Sequence, residues 1–306
     1  MGVTVHEFRV LAALSKAGAL AGNVMTLGRQ NTFFKSRDAL SISHAYGLNL
    51  SPETCDALEA ERFADRLFQE LGAKRFNSID ASSYEGASII KDLNVDFGKG
   101  DVESADFVYD GGTTEHVFDV SAVFRNLTRI VKPRGFFFGA CPANGQPGHG
   151  FYQFSPEFYY RTLAFHGFEV ERLYLVAIQF PAQWYRVDDP SKFKQRITFL
   201  SAEPIYAFVV ARRTGEPSKD TAPMQSDYAF GNWKTGKDHL TWDRSFRAKL
   251  YRLLHRVVVL RLLWSLNVLA RHAFLVGNAV WATSPGVCRV DIDADLQALV
   301  GEIRKL

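Results

Sequence analysis

Apolar side chains along this chain recur with two different periods. Residues 5–20 place Val5, Phe8, Leu11 and Ala12 at helical spacing, and Gly22-Asn23 breaks the run. "VMTLG" (24–28) is a short apolar stretch that closes on glycine, so a buried strand is expected there. Ser51-Pro52-Glu53 is a helix start, with Ser as N-cap, Pro at the first helical position and an acid in the first turn. That helix is expected to carry Cys55, Leu58, Phe63, Leu67 and Leu71 inward and to stop at Gly72. "RFNSID" (75–80), "SIIKDL" (88–93) and "ADFVYD" (105–110) are the next strands. Residues 119–131 are helical, with Val120, Val123, Phe124, Leu127, Ile130 and Val131 on one face. Lys132-Pro133-Arg134-Gly135 then turns the chain into "FFFGACP", a strand without a polar face. Ser155-Pro156-Glu157 opens another helix. "FEVERLYLVA" (168–177) and "PIYAFVVARR" (204–213) alternate as antiparallel pairs do.

Short apolar strands between amphipathic helices predict an α/β fold, a Rossmann-like doubly wound sheet. The sheet is expected to be mostly parallel, with an antiparallel last strand, over residues 1–215. Ligands of such sheets bind outside the carboxyl ends of the strands, where strand order reverses. Gly28, Asp80, Asp92 and Asp110 are all expected near such ends.

Residues 216–240 lack periodicity and read as a linker. Residues 241–306 read as a basic, apolar helical extension. Between Asp243 and Asp291 there are eight basic residues and no acid, which leaves 28 basic against 33 acidic side chains elsewhere. Arg244, Lys249, Arg252 and Arg256 fall on one helix face, and Phe246, Leu250, Leu253 and Val257 on the other. Arg261, Asn267 and Arg271 interrupt the apolar half and argue against a spanning helix. Two readings stay open for the extension: peripheral membrane contact, or packing on the domain or on a second copy in a homodimer.

Composition narrows the function classes. With 306 residues, 47% hydrophobic and 23% charged, the chain can build one large soluble domain. A net charge of +3 does not suggest nucleic acid as a partner. Cys55, Cys141 and Cys288 are odd in number and far apart, which fits a reducing compartment and shows no zinc spacing; no metal ligands are assigned. His6, Glu7 and Arg9 stand where a signal peptide would be apolar, so a cytoplasmic setting is expected, either free or peripheral to the inner face of a membrane.

The order of elements resembles the class I S-adenosylmethionine-dependent methyltransferases. A first strand ends in Gly28 and a second in Asp80. A third carries Asp92 after Ile89-Ile90. The fourth reads "DFVYDGGTTEHV", similar to the family's "fDlV…lEHv" segment. "FRNLTRIVKPRGFFFGACP" is similar to its helix, Lys-Pro turn and fifth strand. The resemblance covers about residues 20–215 and implies S-adenosyl-L-methionine as cofactor. It implies cofactor contact at Gly28, Asp80, Ala81, Asp92, Leu93, Asp110 and Gly111, with Asp80 at the ribose hydroxyls, Asp92 at the adenine amino group and Gly28 close to the methionine part. The family's first motif carries several glycines; here "LGRQNTFF" has one. Arg29 then either pairs with the cofactor's carboxylate or blocks the pocket.

Methylation of a hydroxyl needs an aligned nucleophile and a proton acceptor. His116, in "TTEHVF", and His149, in the Gly/Pro-rich "PANGQPGHGFYQFSPE" after the fifth strand, are the candidates. His149 is preferred as general base, with Tyr152 and Gln153 as substrate contacts. The expected acceptor is a small molecule or glycan. The alternative is a catalytically silent protein of the same fold that binds a partner or a membrane.

Overall fold

A computed structural model describes residues 2–98, 100–179, 181–194, 196–201, 203–220, 222–229, 280–283 and 286–306. The two-faced basic helix expected from residue 241 lies outside the described residues.

Strand β1 (Gly2–Thr4) leads into helix α1 (Val5–Lys16). A capping box starts this helix: the Thr4 hydroxyl accepts the His6 amide (3.1 Å), and Glu7 accepts the Thr4 amide (2.8 Å). Then come β2 (Gly22–Leu27), β3 (Asn31–Phe33), α2 (Ser36–Tyr46), α3 (Pro52–Ala60), α4 (Asp65–Glu70), β4 (Ala73–Asp80), β5 (Ile89–Ile90) and β6 (Ala105–Asp110). A 3-10 turn, Thr114–His116, precedes α5 (Val120–Ile130), β7 (Val131–Asn144), α6 (Pro156–Phe165) and β8 (Phe168–Ala177). The remainder is β9 (Gln183–Val187), α7 (Pro190–Phe193), β10 (Phe199–Ser201), β11 (Ile205–Arg213), α8 (Ser226–Ala229), β12 (Val280–Thr283), β13 (Val287–Val290) and α9 (Ile292–Ile303).

Nine strands form the main sheet in the order β13-β9-β8-β11-β7-β6-β2-β4-β5. The β2, β4, β5, β6 and β7 pairings are parallel, and β11 runs antiparallel between β7 and β8. This is the Rossmann-like, doubly wound arrangement that the strand pattern predicts. One core layer packs α1, α2, α3 and α9 on one face, through Phe8, Leu11, Tyr46 and Leu299. The other packs α5 and α6 on the opposite face, through Phe124, Leu127, Tyr159 and Leu163. Strand order reverses about β2: the chain goes first to β4 and β5 on one side, then to β6 and β7 on the other. The tips of β2, β4 and β6 therefore border the crevice.

Two local expectations change. The helix expected from Pro52 to Leu71 is two helices. The break at residues 61–64 pairs with the chain beyond β2: Thr32 donates to the Arg62 carbonyl (2.9 Å), and Ala64 donates to the Gln30 carbonyl (2.9 Å). Backbone pairing outweighs helical continuity there, and Phe63 leaves the core face. "SIIKDL" is a strand only at Ile89–Ile90, so Asp92 lies in the following turn. Residues 36–46 form a packed helix whose Tyr46 is fully buried and donates to Asp293 (2.8 Å).

The chain's end is part of the same body. β13 pairs antiparallel with β9, and α9 packs on α1. Asp295 of α9 accepts hydrogen bonds from Tyr174 (2.6 Å), Arg186 (2.8 Å) and Arg172 (3.3 Å). No described helix is long and apolar enough to cross a membrane.

Candidate active site

Gly28 closes β2 at φ +68°, a conformation that favours glycine, and its amide donates to the Ile79 carbonyl of β4 (2.7 Å). Arg29 then leaves the strand tip and crosses toward the loop after β4. Its Nε and Nη2 donate to Asp65 (3.2 and 2.7 Å), and its Nη1 donates to the Glu85 and Gly86 carbonyls (2.7 and 3.2 Å). The guanidinium also lies 4.0 Å from the centre of the Phe63 ring. Four of its five N–H groups are thus engaged, and one has no partner among the described residues. Arg29 forms a strap over the β2–β4 junction.

Asp80 is the last residue of β4, beside the Gly28 turn. One of its oxygens accepts the Ser82 amide (3.2 Å); the other has no hydrogen-bond partner among the described residues. Ala81 next to it is exposed. Asp92 is exposed, and one oxygen accepts from the Asn94 amide and side chain (2.9 and 2.8 Å). Its other oxygen is likewise unengaged among the described residues. Leu93 turns the opposite way, into the core. Its carbonyl accepts from Asn126 (3.4 Å).

Asp110 does not face the crevice. It is buried under the tip of β6, accepts the Thr113 and Thr114 amides (2.8 and 3.4 Å), and lies 3.5 Å from the Cys141 sulfur. Its place in the tip turn accounts for the acid at the end of "FVYD". Gly111 is required by close approach: a Cβ there would lie 2.5 Å from Gln30 Oε1 and 2.6 Å from the Tyr109 hydroxyl. The Gly111 carbonyl accepts the Gly2 amide (3.1 Å), so β1 also lies at this tip.

The two histidines meet. His116 ends the 3-10 turn after β6, and His149 sits in the loop after β7; their ring centres are 4.9 Å apart. Both face Glu115, whose Oε1 is 3.5 Å from His149 Nε2 and 4.0 Å from His116 Nε2. Glu115 is fully buried; among the described residues its oxygens meet no N–H or hydroxyl donor in hydrogen-bonding geometry, and the Cys141 thiol lies beside them. Burial, with Asp110 close by, pushes its carboxyl up to about 7, while burial and the neighbouring His149 lower His116. Burial likewise raises Asp110 and the Cys141 thiol. The Glu115 carbonyl accepts the Phe151 and Tyr152 amides (2.7 and 3.3 Å), which ties the histidine loop to the turn.

Tyr152 and Gln153 spend their polar groups on the loop itself. The Tyr152 hydroxyl donates to the Phe118 carbonyl (2.7 Å), and Gln153 Oε1 accepts the Gln146 amide (3.0 Å). Beside the histidines, Phe118 and Phe151 are exposed and meet edge to face at 5.7 Å. A cleft of about 330 Å³ opens past the β7 tip, lined by Asn144, Ser155, Glu157, Ile205 and Ser226. A larger hollow, about 840 Å³, lies between α5 and α6 around Phe124 and His166, away from the strand tips. The tip geometry, not the size, marks the first as the relevant one.

Sequence analysis singles out His116 and His149 but not Glu115, the carboxylate that both approach. Its adjacency to His116 was the available signal. His149 is a candidate from its loop, but its approach to Glu115 and to His116, 33 positions earlier, is not readable from the spacing. Phe118 and Phe151 were also missed, because isolated aromatics near turns carry no pattern.

No protein-family profile matches the chain, and no curated protein matches it. Among solved structures, it is similar to an S-adenosylmethionine-dependent methyltransferase from Mesorhizobium loti (13% identity, 68% of this chain and 98% of that one, TM-score 0.36). It is also similar to the 1,6-didemethyltoxoflavin-N1-methyltransferase of Burkholderia thailandensis with bound S-adenosylhomocysteine (14%, 67% and 79%, TM-score 0.34). A third is the N-methyltransferase NodS from Bradyrhizobium japonicum, also with S-adenosylhomocysteine (12%, 69% and 87%, TM-score 0.33).

Proposed function

We propose that this chain is an S-adenosylmethionine-dependent methyltransferase that methylates a hydroxyl of a small molecule or glycan. The observation that carries this reading is the placement of Gly28, Asp80 and Asp92 at or just beyond the carboxyl ends of three neighbouring parallel strands. Each acid keeps one oxygen unengaged among the described residues. That donor chemistry fits an adenosine: Asp80 suits the ribose hydroxyls, and Asp92 suits an exocyclic amine. The bound cofactor supplies a methyl group on a cationic sulfonium. On this reading Arg29 walls the crevice at the β2–β4 junction.

The acceptor end is the His116–His149 side. An acceptor hydroxyl beside His149 would lose its proton there, with the Glu115 carboxylate holding the imidazolium. Phe118 and Phe151 suit an acceptor with an apolar part, and the cleft beyond the β7 tip suits the rest of it. Tyr152 and Gln153 shape the loop. A cytoplasmic setting agrees with three cysteines that form no disulfide.

A second reading, a catalytically silent protein of the same fold, draws support from Arg29. Its strap, together with β1 against Gly111, takes up room at the β2 tip. Calorimetric titration of the full chain with S-adenosylmethionine divides the two: measurable heat with one site per chain is expected, and its absence from a folded protein sinks the enzyme reading. His149→Ala should then leave that affinity nearly unchanged and cut turnover about a hundredfold.

A further inference from the structure

The Glu115–His116–His149 cluster holds more than a proton acceptor needs. Two imidazoles from different loops converge on one oxygen of a carboxylate that is wholly buried and has, among the described residues, the Cys141 thiol beside it but no N–H or hydroxyl donor in hydrogen-bonding geometry. An isolated buried carboxylate is costly, and native proteins satisfy such a group with a partner, a water or an ion. The three donor atoms lie within 4.8 Å of one another. Donors around a tetrahedral dication, each about 2.1 Å from it, stand about 3.4 Å apart. The 3.5 Å pair already meets that spacing, and rotation of the exposed His116 ring closes the other two. Two glycines make the room: a Cβ at Gly112 would lie 3.0 Å from Glu115 Oε1, and one at Gly150 would lie 2.7 Å from the Glu115 carbonyl.

We propose that Glu115, His116 and His149 bind a divalent transition-metal ion. Two imidazoles and one carboxylate are the donors that suit zinc, cobalt, iron or manganese, and are too few and too nitrogen-rich for calcium or magnesium. Both histidines are nearly half exposed, at 43% and 45% of their side-chain surface, so the remaining coordination positions face solvent. Three protein ligands with an open side are the arrangement of a reactive site, not a structural one. Resting on the methyltransferase reading, the open positions take the acceptor's oxygen. A hydroxyl, or a pair of neighbouring hydroxyls, coordinated there gives up its proton to water at neutral pH. In the loaded site His149 is thus a ligand, and the cation does the work otherwise assigned to it as a base.

The test is cobalt(II) titration of the full chain after removal of metal with a chelator, followed by visible absorption and by metal analysis after gel filtration. One equivalent per chain, with absorption bands of a low-coordinate site, is expected. Glu115→Gln and His149→Asn should each weaken binding by at least about tenfold, while His44→Ala, at an exposed histidine of α2, should not. His149 is half exposed, so its variant keeps the fold, which circular dichroism verifies. Absence of uptake by the folded wild type, or uptake unaltered in both variants, overturns the proposal. Cobalt binding without S-adenosylmethionine binding keeps the metal site and removes the methyltransferase reading. The reverse result does the opposite.

Discussion

Four of the five guanidinium N–H groups of Arg29 go to Asp65, Glu85 and Gly86, so this side chain stitches β2 to α4 and to the loop after β4. The ion pair is mostly buried, with 23% and 31% of the two side chains exposed, and it carries two further backbone hydrogen bonds. Arg29→Ala should therefore lower stability by about 1–3 kcal/mol, measured as a shift in the urea midpoint. It also removes the strap, so affinity for S-adenosylmethionine should rise in calorimetry. An unchanged midpoint would show that the strap holds nothing together. Weaker affinity would mean that the guanidinium's last N–H serves the ligand. Glu115 shows the other way a residue acquires meaning: its neighbours in space are 1 and 34 positions away in sequence. The local stretch "TTEHVF" discloses the first neighbour and is silent on the second.

Among the elements, α9 changes the picture most. Its N-terminal turn places Asp293 against Tyr46 and Asp295 among Arg172, Arg186 and Tyr174. Asp295 is 9% exposed, and without its carboxylate two arginines and a tyrosine lose their common partner. Asp295→Ala should cost about 3–5 kcal/mol, the scale for breaking a buried pair from one side. A loss under about 1 kcal/mol in denaturant unfolding would mean that water replaces the carboxylate. From composition, residues 241–306 read as one appended piece. Yet β13 extends the sheet beside β9, and α9 covers α1 on the same face as α2. Apolar periodicity identifies such a helix, but not the surface it covers.

For the whole molecule, pH dependence follows from a histidine outside the candidate site. His166 caps α6, sits beneath Thr128, and is lowered to about 4 by burial, with Arg125 adding to the effect. Its ordinary value is 6.5, so the unfolded chain takes up a proton that the folded one resists. Stability is complete above pH 6.5 and falls as pH drops toward 4, by about 2–3 kcal/mol from this group. His166→Gln should flatten that part of the stability–pH profile; an unaltered slope would assign it to other groups.

How much of this was legible beforehand varies with the range of the cause. The α/β alternation, the antiparallel pair β8 and β11, and the strand tips at Gly28, Asp80 and Asp110 follow from periods of 2 and 3.6 and from turn residues, which act over a few positions. Those local rules determined the fold class and the edge of the sheet where chemistry is expected. They did not determine that Asp110 turns inward or that Leu93 joins the core. They also missed the split of the helix after Pro52 and the convergence of His149 on Glu115. Each of those depends on which surfaces meet once the sheet is wound. Tertiary packing alone brings together groups that the chain keeps dozens of residues apart, because a buried charge, a backbone pairing or a shared oxygen is settled by distance in space and not by distance in sequence.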